Sequence, residues 1–270
     1  MRHLRNRAIV IIALGAALGR PTSTRAQEAR TVAAEPASKI DAEAVRALEK
    51  MGAYLRTLTT FQVNAAITKE EVLLNGEKVQ LASVADLIAR KPDGLRLDVT
   101  SDKQQRLFQY DGKTFTLFAP RSNYYASVPA PPTIGELASK LEEAYGIDLP
   151  FVDLFRWGTP AANLSVLTGA TDIGPSEIDG VTSEHYAFRQ DGLDWQIWIQ
   201  QGDFPLPRKL VITTLTDDAR PQFVSVYTWN LAPSVDSTAF TFVPPKDAKK
   251  IKFADVTLKG HALKTEEQRQ

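Results

Sequence analysis

The sequence predicts an α+β fold built on one large antiparallel sheet, and three observations carry that expectation. Period-two runs rich in Val, Ile, Thr and aromatic residues recur along most of the chain, Asn-Gly and Asp-Gly steps punctuate them, and segments of three-to-four-residue periodicity stand before and between them. Runs of strands flanked by separate helices make an α+β protein rather than a β-α-β one. The 270 residues, 43% of them apolar, suit one globular domain or two small ones.

The first helix is expected from about residue 39. Ile40, Ala44, Leu48, Met51, Leu55 and Leu58 form one apolar stripe, and Ser38 or Asp41 can cap its start. From Phe61 the period changes to two, and Asn75-Gly76 marks the first hairpin. Asp93-Gly94, Asp111-Gly112 and Asp191-Gly192 repeat the signal, with Asp111-Gly112 expected as a type I′ turn. Strands are placed near 60–74, 77–90, 94–100, 105–110, 113–119 and 122–127. A meander of that length must curl.

Pro129, Pro131 and Pro132 break the sheet. Thr133 caps a helix to Tyr145 through Ile134, Leu137 and Leu141, and a short second helix is expected over 150–157. Strands resume near 163–173, 181–190, 193–201, 207–216 and 221–231, for about eleven in all.

The strand Leu193–Ile199 is apolar on both faces, with Trp195 on one and Trp198 on the other, and Phe223–Trp229 sets Tyr227 and Trp229 against Val224 and Val226. Two explanations are open: helices cover one face while loops and neighbouring side chains cover the other, or the concave face encloses an apolar cavity for an acyl chain.

The ends of the chain have a different character. Arg2, Arg5 and Arg7 precede an uncharged apolar run, Ala8 to Gly19, and Thr24-Arg25-Ala26 ends in the manner of a cleavage site. Residues 1–26 are therefore expected to be a cleavable secretory signal peptide, too short in its apolar part to span a bilayer comfortably, with an uncleaved N-terminal anchor as the alternative. Residues 27–38 are expected as a flexible leader, 39–258 as a single domain and 259–270 as a frayed tail. Taking the five Arg of residues 1–26, a stretch with no acidic side chain, from the 32 basic residues leaves 27 against 32 acidic ones, a net charge of about −5. That balance, without a basic stripe, argues against nucleic acid as a partner. Export without any cysteine fits a Gram-negative periplasm better than a disulfide-built secreted module.

Catalytic and metal chemistry find little to work with. The absence of Cys excludes thiolate zinc sites and Cys nucleophiles, and three His, at 3, 185 and 261, cannot form a cluster of imidazole ligands. Gly-x-Ser-x-Gly, a phosphate-binding glycine loop and His-Glu-x-x-His are also missing. His185 and Glu184 point to opposite faces of a strand. No enzyme activity, metal or cofactor is expected.

Three stretches carry a family resemblance: Arg90-Lys91-Pro92-Asp93-Gly94-Leu95-Arg96, Tyr110-Asp111-Gly112-Lys113-Thr114-Phe115, and Phe240-Thr241-Phe242-Val243-Pro244-Pro245. In this order the chain resembles the outer-membrane lipoprotein carrier (LolA/LolB-like) superfamily, nearest to a branch of predicted periplasmic proteins of unknown function. The resemblance implies a curved antiparallel half-barrel with helices lying across its concave face as a lid over an apolar space that receives lipid or lipoprotein acyl chains. It also implies a basic latch on lid carbonyls just before the proline, here Lys91 with Arg90 beside it, and Lys91 is expected to hold the helix from Thr133 to Tyr145. Lysine lacks the planar fork of the arginine that the carriers have there. Lys91, Arg90, Trp195, Trp198, Tyr227, Trp229, Leu137 and Leu141 are thus the candidate cavity or lid residues. The function expected is a periplasmic carrier of an acyl-bearing ligand that is not an integral membrane protein, and the alternative is a protein-interaction or envelope-sensing module without a lipid.

Overall fold

A computed structural model describes residues 40–236 and 238–254 of the chain, so the expected signal peptide, leader and most of the tail lie outside the described residues. Helix α1 (Ala42–Thr57) comes first, N-capped by Asp41, whose carboxylate accepts from Glu43 N–H. Six strands follow as a meander: β1 (Thr60–Val72), β2 (Lys78–Arg90), β3 (Gly94–Ser101), β4 (Gln105–Tyr110), β5 (Thr114–Ala119) and β6 (Tyr124–Pro129). Helices α2 (Ile134–Tyr145) and α3 (Asp153–Arg156) interrupt it. Five strands resume as β7 (Leu167–Ile178), β8 (Val181–Gln190), β9 (Leu193–Gln200), β10 (Pro207–Thr214) and β11 (Gln222–Asn230), and the two-residue β12 (Lys249–Lys250) closes the series.

These strands form one open, curved sheet in the order β12-β6-β5-β4-β3-β2-β1-β11-β10-β9-β8-β7. Every pairing is antiparallel except β12 on β6. Because β1 pairs with β11, the two meanders join in the middle rather than end to end. Twelve strands stand where about eleven were expected. The extra one, only two residues long, is too short to show a period.

The hairpin chemistry is close to what was read from the residues, with one correction. Gly112 has φ +85°, but Asp111 does not share a positive φ, so the turn is not type I′. Instead the Asp111 carboxylate accepts from the N–H groups of Lys113 and Thr114 and shapes the loop itself. A Cβ on Gly112 would also stand 2.9 Å from Asp93 Cβ, which makes glycine doubly required there. Strand β7 begins four residues later than expected because Leu164–Val166 form a 3-10 turn capped by Asn163. It runs on to Ile178 through a bulge between Asp172 and Gly174.

Helix α2 starts at Thr133, whose hydroxyl accepts from Glu136 N–H, and stops at left-handed Gly146, whose N–H bonds the Glu142 carbonyl. Among the described residues no helix is long and apolar enough to cross a membrane.

Candidate functional site

The concave face of the sheet is where the helices lie, and they divide it in two. On one half, Phe61, Val63 and Ala65 of β1 and Ala85, Leu87 and Ala89 of β2 face Leu137 and Leu141 of α2, Leu149, and Leu154 of α3. The alanines keep the floor low, which leaves depth for the α2 side chains. On the other half, Ala44, Leu48, Met51 and Leu55 of α1 pack on Phe188, Trp195 and Ile197. Leu58, Leu210, Trp229 and Leu231 touch both clusters and join them.

The space between sheet and helices is thus filled by the protein's own side chains, with Leu137 and Leu141 fully buried. Depressions of about 360 Å³ and about 490 Å³ lie elsewhere, on the outer side of α2 and on the convex face of β1 to β3. Of the two explanations for the two-sided strands, covering by helices on one side and by neighbouring side chains on the other describes this conformation.

The aromatic candidates separate accordingly. Trp195 points inward, stacked on Phe188 with ring centroids 4.3 Å apart and 5.8 Å from Trp157. Trp229 also points inward, 5.5 Å from Phe61, and its indole N–H donates to the Pro207 carbonyl at 2.8 Å. Tyr227 is buried against Phe151 at 6.1 Å in the half covered by α2 and α3. Trp198 does not join them. It lies on the convex face, stacked on His185 at 3.9 Å with Lys209 Nζ 4.7 Å from its ring, and its N–H reaches Ser176 Oγ across the β7–β8 hairpin. His185 bonds Gln196 Oε1, and burial pulls its pKa below the ordinary value. Its nearest groups are therefore an indole and an amide. Among the described residues no cluster of His, Asp and Glu is arranged to hold a metal ion.

Lys91 and Arg90 point opposite ways, as alternation requires. Arg90 turns to the convex face, where it pairs with Asp93 at 3.2 Å and lies over the Phe240 ring at 4.7 Å. Phe240 is buried there, while Phe242 packs 5.5 Å from Phe118 and 5.2 Å from Tyr125. Lys91 turns inward and does latch a helix, but a different one from that expected. Its Nζ donates to the carbonyls of Leu55 at 2.7 Å and Arg56 at 3.0 Å, the last turn of α1. The helix from Thr133 to Tyr145 is instead tied to the neighbouring Pro92, whose carbonyl accepts from Ile134 N–H, and the Lys91 ammonium is taken up by α1. Burial, helped by the nearby Arg56, pulls the Lys91 ammonium below the usual lysine range.

Two features had not been singled out in the sequence. Gly52 of α1 meets Gly158, just beyond α3, so closely that a Cβ on Gly52 would stand 2.5 Å from Gly158 N. Backbone meets backbone there, and α1 is keyed to the segment that follows α3. The second feature is polar. Asp153 of α3 holds a buried side-chain oxygen, Oδ1, with no hydrogen-bond partner among the described residues, while Ser225 of β11, also buried, shares a hydrogen bond with the Tyr227 hydroxyl. Burial pushes the Asp153 carboxyl up to about 6, with Arg156 pulling the other way. Burial pushes the Tyr227 phenol upward, a hydrogen bond with Ser225 pulls it down, and the charge of Asp153 adds a smaller upward push, so these groups share one polar point in an apolar core. A sequence signal existed for each: Asp153 is the lone carboxyl in Leu149-Pro-Phe-Val-Asp-Leu-Phe, and Ser225 interrupts the inward row Phe223, Tyr227, Trp229.

Solved structures similar to this chain include the lipoprotein LppX of Mycobacterium tuberculosis, at 16% identity and TM-score 0.48 over 73% of this chain and 100% of that one. LprF of Mycobacterium bovis is similar at 16% identity and TM-score 0.45, over 73% and 96%. A LolA-superfamily protein of Nitrosomonas europaea follows at 13% identity and TM-score 0.34, over 74% and 97%. Among curated proteins none matches this sequence. A family model described as predicted periplasmic protein (DUF2092) matches residues 44–254, which take in most of α1, both meanders, α2 and α3, and the chain belongs to that family.

Proposed function

We propose that this protein is a periplasmic binding or carrier protein for an acyl-bearing hydrophobic ligand, a lipid or a lipoprotein, delivered to the periplasm by cleavage after Ala26 and acting by binding rather than catalysis. One observation carries the reading. Helices α2 and α3 lie on the concave sheet through apolar side chains, and the hydrogen bonds that join α2 to the sheet lie in its first two turns, from Ile134 N–H to Pro92 O and from Lys140 Nζ to Pro129 O.

Apolar contact is non-directional, so an acyl chain can replace Leu137, Leu141 and Leu154 on the sheet at little net cost in buried area. The same helices hide an unpartnered carboxyl, which favours their release. A lid hinged at its N-terminal end and weakened beneath is suited to opening around a ligand. Uptake of the neutral probe N-phenyl-1-naphthylamine tests this: saturable binding accompanied by faster hydrogen exchange in α2 supports it, and absence of uptake refutes it.

The filled concave face also favours a second reading, in which the same fold recognises a protein partner and no lipid enters. That reading predicts co-purification with an envelope protein and no uptake of the neutral probe.

A further inference from the structure

We propose that the ligand of this space carries a hydrogen-bond-donating head, a protonated amine or a hydroxyl, which seats against Asp153, Ser225 and Tyr227 where α3 meets β11. The inference rests on the acyl-carrier reading and adds the chemistry of the head to it.

Asp153 Oδ1 is buried without a partner among the described residues, and Ser225 and Tyr227, whose hydroxyls are hydrogen-bonded to each other, lie buried on β11. Leaving such an atom unpaired is costly, and a fold tolerates it where the atom serves a further partner. Tyr227 beside them is buried among Phe151 and Leu154, so the polar point is ringed by apolar surface. That is the pattern of a site in which a few polar groups orient a mostly apolar ligand.

The sign of the head follows from the groups present. A carboxylate offers only acceptor oxygens once ionised, so its complement is a donor. Asp153 is mostly ionised at pH 7.5, above the value of about 6 set by its burial. A fatty-acid carboxylate or a phosphate would bring like charge against it. The cation nearest in sequence, Arg156, is turned to Glu142 at 3.5 Å.

Displacement of the neutral probe N-phenyl-1-naphthylamine by three twelve-carbon ligands at pH 7.5 is the test. For the wild-type chain the expected order is dodecylamine, then dodecanol, then dodecanoate, with the amine ahead of the carboxylate by roughly 10- to 100-fold, the worth of one charge-assisted hydrogen bond. Asp153→Asn should shrink that gap to a few-fold, and Ser225→Ala should weaken dodecanol. Equal affinity for amine and carboxylate in the wild type, or a gap that survives Asp153→Asn, overturns the assignment of the head and leaves the carrier reading standing. If the probe is not taken up at all, the carrier reading falls and this inference with it.

Discussion

Lys91 Nζ lies 2.7 Å from the carbonyl oxygen of Leu55, so the end of β2 is tied to the last turn of α1 by a charged donor. A cation at a helix C-terminus satisfies orphan carbonyls and meets the negative end of the helix dipole. The Lys91 backbone strengthens the tie, because its N–H donates to Thr59 O in the α1–β1 junction. The latch therefore holds the first helix against the sheet, while α2 and α3 rest on it through apolar side chains and the Ile134 N–H to Pro92 O and Lys140 Nζ to Pro129 O bonds.

Replacing Lys91 by Leu should destabilise the fold by about 1 to 3 kcal/mol, the range for a charge-assisted hydrogen bond to a part-buried carbonyl. Hydrogen exchange should quicken at Leu55 to Leu58 and remain unchanged from Thr133 to Tyr145. Arg90→Leu should leave both segments protected, since Arg90 touches Asp93 and Phe240 on the other face. Faster exchange confined to α2 in Lys91→Leu would show that the latch acts elsewhere.

Asp153 makes stability pH-dependent in a stated direction. Its carboxyl is raised from 3.8 to about 6 in the folded chain. Below pH 3.8 it is protonated in both states and costs little. As pH rises through about 6 the unfolded chain has already ionised and the folded one follows with difficulty, so stability is lost over that window and stays low above it. Asp153→Asn should remove the loss and raise stability at pH 7.5 by on the order of 2 kcal/mol relative to wild type. Chemical denaturation at pH 4, 5, 6 and 7.5 checks this, and parallel pH profiles for the two proteins would contradict it.

Gly52→Ala should be destabilising by about 1 to 3 kcal/mol, because the new methyl meets the backbone of Gly158 and neither helix can give way without moving the other. The loss should be accompanied by faster exchange in both α1 and the segment after α3. A melting temperature equal to wild type would show that the two segments are not keyed together.

Gly112→Val should cost roughly 1 to 3 kcal/mol, since a β-branched residue resists φ +85° and its side chain meets Asp93. Gly76→Val, at a positive φ with open space around it, isolates the backbone part of that penalty. A Gly112 variant no less stable than the Gly76 variant would remove Asp93 from the explanation.

The strands were legible because a half-buried antiparallel strand must alternate and because a tight turn needs Asn, Asp or Gly. Both are local requirements, written within a few residues. Ser101 ends β3 and Gln105 starts β4 close to the expected places for that reason. What sequence cannot show locally is which distant element arrives at a given end. The charge of Lys91 and its inward direction were readable, but whether α1 or α2 would meet it depends on how two meanders join at β1 and β11. Trp198 was visible as an apolar residue on the polar side of its strand, and its cover, the His185 ring and Ser176 of a bulged hairpin, was not. The Gly52 to Gly158 approach is a tertiary coincidence of two small residues 106 positions apart, with no periodic trace.

Native mass spectrometry of the mature chain purified from a periplasmic extract tests most directly whether α2 and α3 cover an acyl site. The expected spectrum contains adducts whose released molecules carry acyl chains, and a Leu137→Asp chain, which places a charge on the underside of α2, should lose them while its sheet remains folded by circular dichroism. A spectrum of the bare chain alone, together with no uptake of N-phenyl-1-naphthylamine by the same preparation, would contradict the carrier function.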